Sequence, residues 1–203
     1  TSEVYGKGAK EEFGESDDLV FGPTTRSRWS YGCSKAIDEF LALAYNRSRD
    51  LPVLIMRLFN TVGPRQVGRY GMVIPRFVEQ AMEGSAITVY GDGQQVRCFA
   101  HVDDVVEAVC RLEDCAEAEG HIFNVGSGEP VTVEELAQTV KRLVNPDVEI
   151  DYIPYEEAYG AGFEDIRRRV PDVSRLRETI GFVPKTDLES IIRDVRDSHG
   201  QGR

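Results

Sequence analysis

Short, continuously apolar runs of strand length alternate with longer segments of helical periodicity along nearly the whole chain, and this alternation restricts its fold more than any other feature. Residues 34–49 carry Ala36, Ile37, Phe40, Leu41 and Ala44 at helical spacing, and "PVLIMRLF" (52–59) follows as an apolar run of the kind found in strands buried on both faces. A helix at 74–82, a strand "AITVY" (86–90), a helix at 103–112 and a strand "HIFNV" (121–125) continue the pattern. "TVEELAQTVKRLV" (132–144) then reads as a helix whose Thr132 and Glu135 have capping-box spacing. A strand "VEIDYI" (148–153) and two helices near 174–179 and 188–196 complete the series. Such alternation predicts α/β architecture. Gly- and Pro-rich loops fall between the elements ("NTVGPRQVGRYG", "YGDGQQ", "GSGEP"), where binding residues concentrate.

Composition narrows the partners. With 203 residues, 41% of them hydrophobic, the chain can bury a sizeable core as one domain, or one and a part. Its formal net charge of -11, from 24 basic against 35 acidic residues, opposes binding to nucleic acid or to an anionic membrane surface. An anionic ligand must therefore be met by local arginines. Cys33, Cys98, Cys110 and Cys115 show no C-x-x-C spacing, which fits a reducing, cytoplasmic setting. His101, His121 and His199 stand far apart and read as structural, so no metal site is expected. No apolar run reaches the roughly 18 residues of a membrane span, and no signal peptide is visible.

One short motif carries chemistry. In "RWSYGCSKAIDEF", Tyr31 and Lys35 stand four residues apart at the opening of a helix, with Ser34 beside the lysine. Positions i and i+4 share one helix face, so an ammonium there can favour the phenolate and bring the oxygen towards use as a base. Taken alone, the same spacing also arises by chance on amphipathic helices. An α/β enzyme that binds a dinucleotide ordinarily opens with a strand, a G-x-G-x-x-G-like turn and a helix, whose glycines admit the pyrophosphate. The chain opens instead on "TSEVYG", as if a strand had just ended, and reads as the C-terminal part of a longer protein.

"TSEVYG", "YGCSK", "RLFNTVGPR", "VYGDGQQVRCFAHVDDVVEAV", "FNVGSGEPVTVEELA" and "RRRVPDVSRLRETIGFVPKTDLESII" occur in the order found in nucleotide-sugar epimerases, dehydratases and decarboxylases. The chain thus resembles the extended short-chain dehydrogenase/reductase superfamily over essentially its whole length. The resemblance implies the C-terminal part of a Rossmann-like, doubly wound parallel sheet plus a smaller α/β substrate-binding domain. Residues 1–65 would belong to the NAD-binding domain and 66–203 mainly to the nucleotide-sugar domain, with some segments returning to the Rossmann sheet. It further implies that Tyr31 takes the proton of the sugar C4 hydroxyl while C4 hydride passes to NAD, and that Lys35 lowers the tyrosine pKa and holds the nicotinamide ribose.

The same resemblance distributes the remaining roles. Thr1 matches the hydroxyl that bonds the C4 oxygen. Ser2 and Glu3 stand where dTDP-glucose 4,6-dehydratases carry Asp and Glu, and together look like UDP-glucuronate decarboxylases, although GDP-mannose dehydratases share a Ser-Glu pair. Asn60 and Arg97 match diphosphate-binding positions, with the forked guanidinium suited to phosphate. Arg169 aligns with the active-site arginine of decarboxylases, Arg167 with a phosphate-binding arginine of epimerases, and Tyr90 lies where the nucleotide base is met. The expectation is an NAD-dependent enzyme acting by transient oxidation at sugar C4, a UDP-glucuronate decarboxylase first and a UDP-sugar 4-epimerase second. A non-catalytic sugar-nucleotide-binding fragment is the alternative of another class. Similar enzymes are commonly homodimers.

Overall fold

The computed structural model describes residues 1–68, 72–160 and 164–199. In chain order the helices are α1 (Ser30–Arg49), α2 (Val73–Met82), α3 (Val102–Glu113), α4 (Val133–Val144), α5 (Tyr155–Tyr159), α6 (Ser174–Ile180) and α7 (Leu188–His199). The strands are β1 (Ile55–Leu58), β2 (Asn60–Val62), β3 (Ile87–Tyr90), β4 (Val96–His101), β5 (Ile122–Val125), β6 (Pro130–Thr132), β7 (Ile150–Ile153) and β8 (Arg168–Arg169). Short 3₁₀ turns at Ser2–Tyr5 and Ser27–Trp29 lead into α1. Every helix expected from periodicity is present, and Thr132 with Glu135 forms the capping box at α4. The last three residues of the Gly- and Pro-rich loop 60–71 lie outside the described residues.

The apolar run 52–59 forms one strand, β1, and the chain changes sheets directly after it. β1 pairs in parallel with β5, Ile55 opposite Ile122, and after Phe59 the chain leaves that sheet as β2, which pairs in parallel with β4, Asn60 opposite Phe99. β4 also pairs antiparallel with β6 and parallel with β8, setting Arg97 opposite both Val131 and Arg169. β3 and β7 form a separate parallel pair. This switch between sheets places Asn60 beside β4 and away from the β1–β5 pair.

Three apolar clusters hold these layers. Ile74 and Phe77 of α2, Ile87, Leu136 and Ile191 pack together, fully buried, and join α2, β3, α4 and α7. Leu112, Phe123 and Leu176 tie α3 and α6 to β5. Val4, Tyr5, Phe13, Ala36 and Phe59 fasten the first turn to α1 and to the end of β1. Each such side chain contributes about 1.5–3 kcal/mol on burial. A polar knot reinforces the third cluster: the buried Asn124 accepts from Tyr5 Oη at 2.6 Å and donates to Phe13 O at 2.7 Å and Asp172 O at 3.1 Å. His101 caps α3, its Nδ1 accepting from Asp103 N at 3.2 Å. Among the described residues no helix is long and apolar enough to cross a membrane, and no group of three or more His, Cys, Asp or Glu could hold a metal ion.

Candidate functional site

The turn Ser2–Tyr5 lies directly against the start of α1, and Gly32 makes that approach available: a Cβ there would stand 2.6 Å from Glu3 O. The packing delivers Glu3 to a cavity of about 210 Å³ whose walls come from β2, β4, α2, α5 and β8. Glu3 Oε2 accepts from Arg28 Nη1 at 2.5 Å, and Glu3 Oε1 is ion-paired with Arg169 Nη1. Burial alone would raise the Glu3 pKa, but the bond from Arg28 and the charges of Arg169 and Arg28 outweigh it, and the group lies below the ordinary carboxylate range. Arg169, its side chain only 13% exposed, also donates from Nη2 to Asn60 Oδ1 at 2.7 Å. Asn60 Nδ2 in turn donates to Cys98 O at 2.8 Å, so the backbone of β4 fixes the amide that orients Arg169.

Arg97 enters the same cavity and is matched by an acid. Its Nη2 reaches Asp165 Oδ1 at 3.1 Å and Oδ2 at 3.2 Å, while Tyr155 Oη donates to Asp165 Oδ2 at 2.7 Å. Burial and then the nearby Arg169 charge lower the Arg97 pKa from its ordinary value, and Asp165 opposes that shift. Aromatic rings also line the cavity. The Arg76 guanidinium lies 4.1 Å from the centre of the Tyr90 ring, and Tyr159 meets that ring edge-on at 5.3 Å. Four buried polar atoms on cavity-lining residues have no hydrogen-bond partner: Gln66 Oε1, Gln95 Oε1, Arg76 Nε and Arg169 Nε. The cavity lining therefore combines the guanidinium groups of Arg28, Arg76, Arg97 and Arg169 with the rings of Tyr90, Tyr155 and Tyr159. Such a lining suits a polar, anionic ligand that carries a flat group.

Of the residues selected from sequence, Glu3, Asn60, Tyr90, Arg97 and Arg169 line this cavity. Thr1 and Ser2 flank Glu3 in the same turn, with Thr1 Oγ1 accepting from Glu3 N at 3.3 Å and Ser2 buried. Arg167 lies outside the cavity lining, 70% exposed and paired with Asp92 at 2.9 Å. Tyr31 and Lys35 stand on the opening turns of α1, next to the turn that carries Glu3. Tyr31 is 52% exposed, and Lys35 Nζ bonds Asp38 Oδ2 at 2.9 Å, the carboxylate that chiefly raises the ammonium pKa. A phenol and an ammonium on an open surface fit the hydroxyl-rich ribose end of NAD. The phosphate-cradling glycine turn is not part of this sequence.

A family model described as the NAD dependent epimerase/dehydratase family matches residues 1–126. The chain belongs to that family. Among curated members of the family, it is 43% identical over 196 residues to the UDP-N-acetyl-alpha-D-glucosaminuronate decarboxylase of Bacillus cytotoxicus, covering 96% of this chain and 60% of that protein. It is 37% identical over 198 residues to the UDP-glucuronic acid decarboxylase 6 of Arabidopsis thaliana, covering 93% of this chain and 52% of that one. The solved UDP-glucose 4-epimerase of Thermotoga maritima with UDP-glucose superposes with a TM-score of 0.84 at 28% identity, over 98% of this chain and 61% of that one. The UDP-glucuronic acid 4-epimerase of Bacillus cereus with UDP-glucuronic acid and NAD superposes with a TM-score of 0.82 at 23% identity, over 99% and 60%, a likeness of fold. The chain thus spans roughly half to three-fifths of the length of the curated relatives, and its Rossmann-like α/β fold is that of these family members.

Sequence reasoning missed Arg28, Arg76, Gln66, Gln95, Tyr155, Tyr159 and Asp165. Arg28 alone had a signal, three positions before Tyr31 in the quoted motif, where a cation next to a candidate base merits a partner search.

Proposed function

We propose that the intact protein decarboxylates a UDP-hexuronate by transient oxidation at sugar C4, using NAD. The observation that carries this reading is the convergence of Glu3, Asn60 and Arg169 in one cavity, where a guanidinium oriented by an amide and paired with Glu3 is placed to exchange that partner for a sugar carboxylate. Arg169 would hold the C6 carboxylate through its forked donors. Once C4 is a ketone, that carboxylate is β to it. The C5–C6 bond then breaks with loss of carbon dioxide, its electron pair moves into the enolate at the C4 oxygen, and C5 takes up a proton from solvent to give the 4-keto pentose that is reduced. Tyr31 would accept the C4 hydroxyl proton and later return it, Lys35 would hold a ribose hydroxyl, and Thr1 would bond the C4 oxygen. NAD, when bound, supplies the two-electron oxidation at C4 and the reduction that closes the cycle. Arg97 would receive the diphosphate, Arg167 would join it from outside the cavity lining by exchanging Asp92 for a phosphate, and Tyr90 with Arg76 would receive the base.

Two further readings accompany it. A homodimer would cover the exposed Ile37, Phe40, Leu41 and Tyr45 of α1, and sedimentation of the intact protein checks it. A cytoplasmic setting fits the four free cysteines. The decisive experiment supplies the intact protein with UDP-glucuronate, its 2-acetamido counterpart and UDP-glucose, each with NAD, and analyses the products. Carbon dioxide and a UDP-pentose from a hexuronate support the proposal. Only a C4 epimer would install the 4-epimerase instead, and binding without turnover would install the non-catalytic module.

A further inference from the structure

Glu3 is gripped from two sides by groups that reach it from distant parts of the chain. Arg28, in the 3₁₀ turn ahead of α1, holds Oε2 at 2.5 Å, and Arg169, on β8, holds Oε1. Arg97 on β4 is a further cation near this carboxylate, and Asp165 matches it. One guanidinium would neutralise Glu3. Two leave the Arg28–Glu3–Arg169 cluster with a surplus positive charge in a mostly enclosed wall of the cavity, and with a buried Arg169 Nε that bonds to nothing. The cluster is one anion short.

We propose that Arg28 is a positioning residue: it retains Glu3 as a carboxylate, in place, while Arg169 is handed to an incoming carboxylate. Which anion arrives rests on the decarboxylase reading, where it is the C6 carboxylate of a UDP-hexuronate; the division of labour between the arginines rests on the geometry. If Arg169 alone served both carboxylates, two negative charges would share one cation, and one of them would take up a proton. Arg28 gives each carboxylate its own guanidinium. Glu3 then stays unprotonated when Arg169 leaves it.

The test follows the Glu3 carboxyl by carbon-13 NMR in the intact protein, with the signal assigned by its loss in Glu3→Gln. Its titration is compared with no ligand, with UDP-glucose and with UDP-glucuronate. In the parent, Glu3 is expected to titrate below the ordinary range in all three. In Arg28→Gln with UDP-glucuronate bound, the midpoint should rise by about 1–3 pH units, the effect of losing an adjacent opposite charge, and by less with UDP-glucose. Arg28→Lys should restore most of the shift, and the acid limb of kcat for carbon dioxide release should move with it. Arg169→Gln imitates the departure of Arg169, so there Glu3 should remain below the ordinary range on Arg28 alone. That variant decides the matter even if Arg28→Gln fails to fold. An unchanged midpoint in Arg28→Gln with UDP-glucuronate, or a Glu3 in Arg169→Gln that titrates above the ordinary range, overturns the proposal. A parent that releases no carbon dioxide defeats the decarboxylase reading, while the titrations still judge Arg28.

Discussion

Removing the carboxylate of Glu39 should destabilise the chain far more than removal of a surface acid, because Glu39 is the main partner of a buried arginine. Arg57 on β1 is 3% exposed and donates from Nε to Glu39 Oε1 at 3.0 Å and Oε2 at 3.2 Å, and from Nη2 to Oε2 at 2.7 Å. Stranding one member of a buried ion pair costs about 3–5 kcal/mol. Two contacts survive in Glu39→Ala, the bond from Arg57 Nη1 to Glu15 O at 3.2 Å and the stacking of its guanidinium 4.7 Å from the Tyr5 ring centre. The lower end, about 3 kcal/mol, is therefore expected, and for a chain of this size each kcal/mol lowers Tm by about 2–4 °C. Calorimetry should show a fall of about 6–12 °C. Replacing both partners, Glu39→Leu with Arg57→Met, should recover much of that loss, since no charge is then buried. A fall below about 2 °C in Glu39→Ala, less than one kcal/mol, would refute the reasoning, as would a double variant no better than the single one. The pair matters to the site because it clamps α1, and with it Tyr31 and Lys35, to β1.

Other outcomes follow from single groups. Tyr31→Phe in the intact protein should lower kcat by at least about 10²–10⁴-fold with UDP-sugar affinity nearly unchanged; more than half the parent rate would remove Tyr31 from the reaction. Thr132→Ala breaks the capping box of α4 and should cost about 1 kcal/mol, read as a small fall in Tm by calorimetry. Glu3 has a depressed folded pKa, so its ion pairs contribute stability that is fully present above the ordinary value of 4.5 and is lost as pH falls through the lower folded value. The Tm difference between the parent and Glu3→Gln should accordingly shrink as pH falls from 6 towards 3, and a constant difference would contradict the assignment.

Much of the fold was legible because periodicity reports burial, and burial dominates helix placement. α2, α3, α4 and α7 each carry a clean apolar stripe, and all four were expected close to their observed spans. The strands that build the cavity were harder to see. β4 reads "VRCFAH", where Arg97 and His101 interrupt the apolar run to serve the site and to cap α3, so the signal of a buried strand is broken by the residues that give it a purpose. "PVLIMRLF" holds the single strand β1, as its apolar run implies, but hydrophobicity does not record that the chain changes sheets directly after it; the pairings of β1 and β2 decide that, and their partners lie more than 35 residues away in sequence. Ordered motifs identified Glu3, Asn60, Arg97 and Arg169. Arg28 stood in the quoted motif, three positions before Tyr31, but its partner Glu3 lies 25 positions away, and local spacing does not name that partner.

The most direct measurement compares the affinities of the intact protein for UDP-glucuronate and UDP-glucose, by calorimetry in the presence of NAD, before and after Arg169→Ala. If the Glu3–Asn60–Arg169 end of the cavity receives a sugar carboxylate, the parent should prefer UDP-glucuronate. Losing a partly buried, hydrogen-bonded charge partner costs about 2–5 kcal/mol, so the variant should lose that preference by at least about tenfold while its affinity for UDP-glucose changes little. A preference left intact by Arg169→Ala, or a parent that binds the two sugars equally, would contradict the account.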